Sequence, residues 1–259
     1  MWPIFIINLD RAQDRLRVSE RLMREAGLDF VRVGACDGTR LSRAAVEAHV
    51  GPTPPPFAKR PMTAPEVACF ISHRTVWERV ARSEWPGAVI LEDDFEFGPD
   101  FKHLLSSISE APPDWDILKF YSNKPKRLLA ASSLAGRYRI GVPRVLPMST
   151  VAYAITRPAA AALAGCCPPF RRPVDLYLKH WWEHGGCVKL VMPAPVGRRH
   201  DHLETSAIRP APASGALLSR FVRNILYQLA FKLNTARHAA RRPMHARWVD
   251  EGTGQGDVR

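Results

Sequence analysis

The densest chemical signal in the chain is Glu92-Asp93-Asp94, which follows the apolar run Gly87-Ala88-Val89-Ile90-Leu91. Three carboxylates at the tip of a buried strand repel one another and call for a compensating charge. A divalent cation is the usual partner, and Asp and Glu oxygens suit Mg²⁺ or Mn²⁺. Alternation along a strand sets Glu92 and Asp94 on one side and Asp93 on the other. Open α/β sheets bind ligands beyond the carboxyl ends of their strands. The chemistry that fits is a metal bridging a diphosphate and acting as a Lewis acid for a departing phosphate. In isolation the triplet reads more readily as a solvated acidic turn after a strand. A second D-x-D, Asp114-Trp115-Asp116, precedes a strand, and Asp114 there reads as a turn residue.

Other chemistries leave little trace. No GxxxxGK[ST], HExxH or GxSxG occurs, and Gly252, Gly254 and Gly256 form a G-x-G-x-G with no helix after it. The five cysteines include no CxxC pair, and no basic residue precedes the apolar run Trp2–Leu9 as a signal peptide would require. Reduced thiols in a cytosol are the simplest expectation. No apolar run approaches the ~20 residues of a membrane-spanning helix.

The elements that would position the acidic triplet alternate along the chain. Ile4–Ile7, Phe30–Val33, Gly87–Leu91, Asp116–Phe120, Val151–Ile155 and Val188–Met192 read as strands. Residues 12–26, 42–49, about 63–83, 100–110, 158–166 and 174–184 read as helices. Ser42 caps one, and Thr63 with Glu66 forms a capping box for another. The Pro-rich stretch 51–64 is a loop, and the basic stretch 121–148 is ambiguous. This pattern implies an α/β domain, Rossmann-type, with a largely parallel sheet flanked by helices.

Several motifs together resemble glycosyltransferase family 25, which holds lipopolysaccharide, lipooligosaccharide and collagen galactosyltransferases. They are Asn8-Leu9-Asp10-Arg11 with Asp14-Arg15, Glu66-Val67-Ala68-Cys69-Phe70-Ile71-Ser72-His73, Trp77-Glu78, Leu91-Glu92-Asp93-Asp94, Ala152-Tyr153-Ala154-Ile155-Thr156, Pro173-Val174-Asp175 and Ser206 to Ile208. The resemblance covers roughly residues 2–208 in order. It implies a GT-A-like fold, a nucleotide-sugar donor (most often UDP-galactose), a divalent metal, and inversion at the anomeric carbon.

It also implies roles. Asn8, Asp10 and Arg11 follow the first strand, where a GT-A enzyme holds uracil and ribose; Arg11 and Arg15 would offset diphosphate charge. Asp37 and Gly38 border the nucleotide site or form a plain turn. Ser72 and His73 contact the donor, or His73 is a buried orienting group. Asp93 joins the donor contacts. Glu92 and Asp94 hold the metal with a histidine, His200 or His202, as third ligand, and Arg198 and Arg199 lie near the diphosphate. Asp175 is the first choice for the base on the acceptor hydroxyl, with Glu183, Asp201 and Glu204 as alternatives.

The charge is +12 overall, and residues 205–259 carry half of the excess, with no acid between 205 and 249. Leu217, Phe221, Ile225 and Leu229, with Leu218, Val222 and Leu226, form the apolar face of a basic amphipathic helix. It reads either as a helix docked on the domain or as one lying on an anionic membrane. The division expected is a transferase domain, 1–206, and a basic amphipathic extension, 207–259. The function expected is a cytoplasmic hexosyltransferase, peripheral to the inner face of the cytoplasmic membrane, acting on a lipid-linked oligosaccharide. A metal-dependent nucleotidyltransferase or nuclease would use the same carboxylates but lacks a matching motif set. A basic nucleic-acid-binding protein would use the tail, but the core carries no base-reading motif, so no nucleic acid is expected.

Overall fold

The computed structural model describes residues 1–51, 60–110, 112–165, 168–199 and 217–247, and side chains within these except those of 217–223. The chain runs β1 (Ile4–Asn8), α1 (Gln13–Glu25), β2 (Val31–Gly34), α2 (Arg43–Val50), α3 (Ala64–Ala81), β3 (Gly87–Glu92), β4 (Phe95–Phe97), α4 (Phe101–Glu110), β5 (Ile117–Lys119), β6 (Leu128–Ala135), β7 (Tyr138–Pro143), β8 (Ala152–Thr156), α5 (Arg157–Ala164), α6 (Val174–Lys179), α7 (Trp181–His184), β9 (Val188–Met192), β10 (Val196–Arg198) and α8 (Leu217–His238).

Eight strands form one sheet in the order β2-β1-β3-β8-β5-β9-β7-β6. Following the pairings across it, six strands point one way, while β8 and β7 run against them. The α/β reading holds, in a GT-A-like arrangement whose sheet is mixed where β8 enters between β3 and β5. Both faces are covered, which is why the central strands read as continuous apolar runs. Ile4, Ile6, Val89 and Leu91 pack with Met23, Leu104 and Leu105 on the α1/α4 side. Phe5, Ile7, Ala88 and Ile90 pack with Val67, Phe70 and Trp77 on the α3 side. Burying one such side chain contributes about 1.5–3 kcal/mol, so the ends of β1 and β3 rest on a well-packed base.

The local signals hold where they are strongest. Ser42 Oγ accepts from Ala45 N at 3.1 Å and starts α2. Glu66 accepts from Thr63 N at 2.8 Å in the capping box, and Arg60 clamps the same carboxylate with two bonds of 2.7 Å. Three features differ from the sequence reading. The stretch 121–148 contains the hairpin β6–β7, whose Ser/Ala-rich outer strand is largely exposed and has two register irregularities, so it carries little apolar period. The helix expected over 174–184 breaks at His180, whose ψ of 56° leaves the helical range. Its ring instead reaches Glu183 and Tyr227. And β4 pairs with β10 in a separate two-stranded sheet, three residues each, too short to show a period.

α8 is anchored through its aromatic residues. Tyr227 Oη lies 3.1 Å from His180 Nε2, and the Phe231 ring lies 5.3 Å from both His180 and Trp182. Beyond the helix, Met244 packs against the core, and Arg247 N donates to Asp116 Oδ2 at 3.0 Å. The opposite side presents Ile225, Leu226, Leu229 and Leu233, which are 41, 42, 51 and 70% exposed. Docked and outward-facing apolar sides thus coexist on one helix. No helix among the described residues is long and apolar enough to cross a membrane. The boundary expected near 206 and the Ser206–Ile208 motif lie outside the described residues.

Candidate functional site

β1 and β3 are parallel neighbours, so their carboxyl ends open on the same edge. The Glu92-Asp93-Asp94 turn sits there. Each of its three carboxylates has its own set of partners. Glu92 accepts from Thr150 Oγ1 and faces His73 Nε2 at 3.3 Å. Asp93 turns toward α1, accepting from Asn8 Nδ2 at 2.6 Å and pairing with Arg15 at 3.1 Å. Asp94 pairs with Arg198 Nε at 2.6 Å. The alternation expected from the strand is realised: Asp93 alone points to the α1 side.

Arginines supply much of the compensation that the sequence assigned to a cation. β10 registers Arg198 opposite Phe95, the residue after Asp94, which brings the guanidinium onto the carboxylate. Arg199 N donates to Asp94 O at 2.8 Å, and its side chain reaches Asp93 O at 2.6 Å. Two nitrogens of Arg199, Nε and one terminal nitrogen, are buried with no hydrogen-bond partner among the described residues. Oδ1 of Asp94 is likewise buried, with no partner among the described residues. Burial, then the charge of Glu92, pushes the Asp94 carboxyl up to about 6 despite Arg198. Burial also opposes charge on Glu92, but the hydrogen bond and charge of His73 and the bond from Thr150 outweigh it and hold that carboxyl low.

The expected donor contacts divide. Arg11, Asp37, Ser72, His73 and Asp93 line a cleft of about 180 Å³, together with Arg15, Cys36, Glu92, Asp94, Arg198 and Arg199. Asn8 and Asp10 are not among its lining residues. Asn8 is 1% exposed and is spent on Asp93, Ala12 O and Arg32. Asp10 points outward and pairs with Arg32 at 2.5 Å. Asp37 accepts from Thr39 N at 2.9 Å and pairs with Arg11 at 3.0 Å; the Thr39 bonds, with Arg11, hold its carboxyl below the usual range. The turn carrying it is pressed against α3, where a Cβ on Gly38 would stand 2.6 Å from Pro65. Ser72 ties the two together, donating to Ala68 O at 2.8 Å and accepting from Cys36 N at 2.9 Å.

His73 is 1% exposed and held from both ends. Nδ1 lies 2.9 Å from Tyr153 Oη, which also accepts from Trp77 Nε1 at 2.8 Å. His73 holds Glu92 in place from the Tyr153 side and also lines the cleft. Thr150 shares that task and carried no motif signal. Cys69, His73 and Glu92 also bring ligand atoms within 4.8 Å of one another, the one such group of three among the described residues.

For a hard divalent cation, the free oxygen of Asp94 and the Glu92 carboxylate beside it are a fitting donor pair. His200, the expected third ligand, lies outside the described residues, as do His202, Asp201 and Glu204.

Asp175, at the first turn of α6, stands on the other side. A junction cavity of about 390 Å³ is lined by Asp175, Glu66, Tyr121, Met148, Ser149 and Thr150, and also by Glu92, Cys69 and Arg198 of the donor cleft. Asp175 accepts from Leu176 N at 2.7 Å, and burial raises its carboxyl above the ordinary value. Of the alternatives, Glu183 is committed to Arg172 at 2.6 Å and His180 at 3.2 Å.

The family model described as "Glycosyltransferase family 25 (LPS biosynthesis protein)" matches residues 1–178. Procollagen galactosyltransferase 2 of Mus musculus is 31% identical over 192 residues, covering 68% of this chain and 29% of that protein. The protein of the same name from Homo sapiens is 29% identical over 184 residues, again covering 68% and 29%. A glycosyltransferase 25 family member of Drosophila melanogaster is 38% identical over 103 residues, 38% of this chain and 17% of that protein. The chain thus spans less than a third of these relatives. The matched region contains both strand ends, the α3 helix and the acidic triplet just described, and the chain belongs to glycosyltransferase family 25.

Proposed function

We propose that the chain transfers a hexose, with galactose the first candidate, from a UDP-sugar to a lipid-linked surface glycan of the lipopolysaccharide or lipooligosaccharide type, with inversion. The observation that carries this reading is the continuity of the cavities. The donor cleft shares Cys69, Glu92 and Arg198 with the junction, and the junction ends at Asp175. The cleft takes a nucleoside diphosphate between the 36–39 turn and the arginines, and Asp175 faces the sugar from the opposite side.

In the transfer, Asp175 removes the proton of the acceptor hydroxyl. That oxygen forms the new bond to the anomeric carbon as the bond from carbon to the β-phosphate oxygen breaks, and the electron pair leaves with UDP. A carboxylate raised by burial is the stronger base. Arg198 and Arg199 face the charge developing on the departing diphosphate, where preorganised donors in a poorly solvated site act most strongly. A bound Mg²⁺ or Mn²⁺, held by Glu92 and Asp94, would supply Lewis-acid neutralisation of the same charge.

The outward aliphatic stripe of α8, beside a tail rich in arginine, supports peripheral contact with the anionic inner face of the cytoplasmic membrane. The test is donor hydrolysis and transfer with UDP-galactose and UDP-glucose, with and without Mn²⁺, the product anomer read by NMR. A UDP-sugar should be consumed and the product should have the inverted configuration. No consumption of either donor and no thermal stabilisation by UDP at millimolar concentration would sink the reading.

A further inference from the structure

A cavity of about 890 Å³ lies beyond the junction and shares Asp175, Glu66, Met148 and Pro173 with it. Its size is that of a pocket for a whole small amphiphile, near the upper end of the ~300–1,000 Å³ usual for ligand sites. One part of its wall is apolar: Val46 and Val50 from α2, Met62, and Phe170, whose ring stacks on Phe70 at 4.0 Å. Val46, Val50 and Met62 are only partly buried by the core they pack against, so apolar surface is left facing the cavity.

The charge is unevenly committed. Arg43 is neutralised by Glu47 at 2.7 Å, and Arg60 by Glu66 at 2.7 Å. Just before α6, Arg171 and Arg172 line the cavity at one corner, close in sequence to Asp175 in the first turn of that helix. Arg172 reaches Glu183 with one nitrogen, and its Nε is buried with no hydrogen-bond partner among the described residues. Apolar walls and a cationic corner next to the transfer point are the complement of a hydrocarbon chain ending in a phosphate. A soluble neutral glycan would leave both features unmatched. The helix that closes this cavity with Tyr227 and Gln228 is α8, whose other side carries the outward aliphatic stripe. A ligand entering here would come from the surface on which that stripe rests.

We propose that this cavity holds the carrier end of the acceptor: an anionic amphiphile whose hydrocarbon lies against Val46, Val50, Met62 and Phe170 and whose phosphate faces Arg171 and Arg172, leaving its sugar at Asp175. The proposal rests on the glycosyl-transfer reading for its purpose but is tested apart from it. Titration calorimetry on the full chain would use decyl phosphate, decyl maltoside and inorganic phosphate, each below any micelle concentration.

Decyl phosphate should bind one to one, at least ~10-fold tighter than either of the others, the ratio expected when both parts of the ligand are matched. Val46→Trp, which fills the cavity, should weaken it at least ~10-fold, and so should Arg171→Glu, an exposed position whose change leaves folding intact. UDP-dependent stabilisation should be unchanged in both. Equal affinity for decyl phosphate and decyl maltoside, for decyl phosphate and inorganic phosphate, or for decyl phosphate in wild type and Arg171→Glu, overturns the proposal. Loss of UDP-sugar turnover with decyl phosphate binding intact would count against the transferase reading alone.

Discussion

The donor cleft and the cavity beyond Asp175 meet at one junction and treat charge in opposite ways. In the cleft, carboxylates and arginines are interleaved at 2.6–3.1 Å on the ends of packed strands. Around the cavity, apolar side chains from helices and loops form much of the wall, Arg43 and Arg60 are paired with Glu47 and Glu66, and Arg171 and Arg172 stand together at one corner. Two carboxylates on the shared junction show the consequence. Glu92, hydrogen-bonded by His73 and Thr150, is held below the ordinary value; for Asp175 burial outweighs the bond from Leu176 N and the charge of Lys119, and its carboxyl is held above it. Carboxylates whose environments push them apart divide the labour of acid–base chemistry. Under the proposed transfer, Glu92 stays charged to face a cation and Asp175 takes the acceptor's proton.

Substitutions on the two sides should therefore fail differently. Asp175→Asn should lower transfer by ~10²–10⁴-fold, the range of a lost general base, while UDP still raises the melting temperature. Asp94→Asn should lower turnover by at least ~10²-fold, because a preorganised charge clamp is lost, and here the Mn²⁺-dependent part of UDP stabilisation should go too. The fold should tolerate it, since ionised Asp94 is already disfavoured. If the two variants respond alike to UDP in thermal melts, the division of the junction is wrong.

The anchor of α8 bounds the cavity side. Phe231 is half-buried against His180 and Trp182. Phe231→Ala should cost about 2 kcal/mol, below the ~3–5 of a fully buried Phe, as read by denaturant unfolding. A chain cut near residue 212 loses the whole anchor and should be less stable still. Leu229→Glu with Leu233→Glu, on the outward side, should stay within ~1 kcal/mol of wild type and yet lose sedimentation with anionic liposomes at low salt. Sedimentation retained by that double variant would separate the stripe from any membrane role.

The smallest expected effect is one of pH. Burial pushes His184 down from 6.5 to about 4, although Leu178 O lies 3.2 Å from its Nε2. Between those values the unfolded chain binds a proton that the folded chain does not. Stability is then full above about 6.5 and falls as the pH drops toward 4. His184→Gln should flatten the melting-temperature profile in that window; an unchanged slope would assign the loss to other groups.

Much of the scaffold was legible in the residues. β1, β3, β8 and β9 are buried on both faces and so appear as uninterrupted apolar runs, and the Thr63–Glu66 box announces α3 within one turn. The acidic triplet was legible for the same reason, since charge directly after such a run has to lie at a strand end. The three-residue strands β4 and β10 were not legible, nor was the Ser/Ala-rich β6. Their pairing depends on partners far along the chain. The break at His180 is likewise set by a ring buried against Tyr227, 47 residues away.

By itself the sequence determined which chemical groups stand at the ends of which strands, because period and capping are local. The tertiary structure decided what those groups do. It delivered Arg198 onto Asp94 across 104 residues and Tyr153 onto His73 across 80, so that His73 is held between Tyr153 and Glu92. It turned Asn8 inward and Asp10 outward from one short motif. It also assembled the cavity beyond Asp175 from α2, the 60–62 and 170–173 segments, α6 and α8. No spacing in the sequence encodes such a cavity, since its walls touch only after the sheet and its helices have packed.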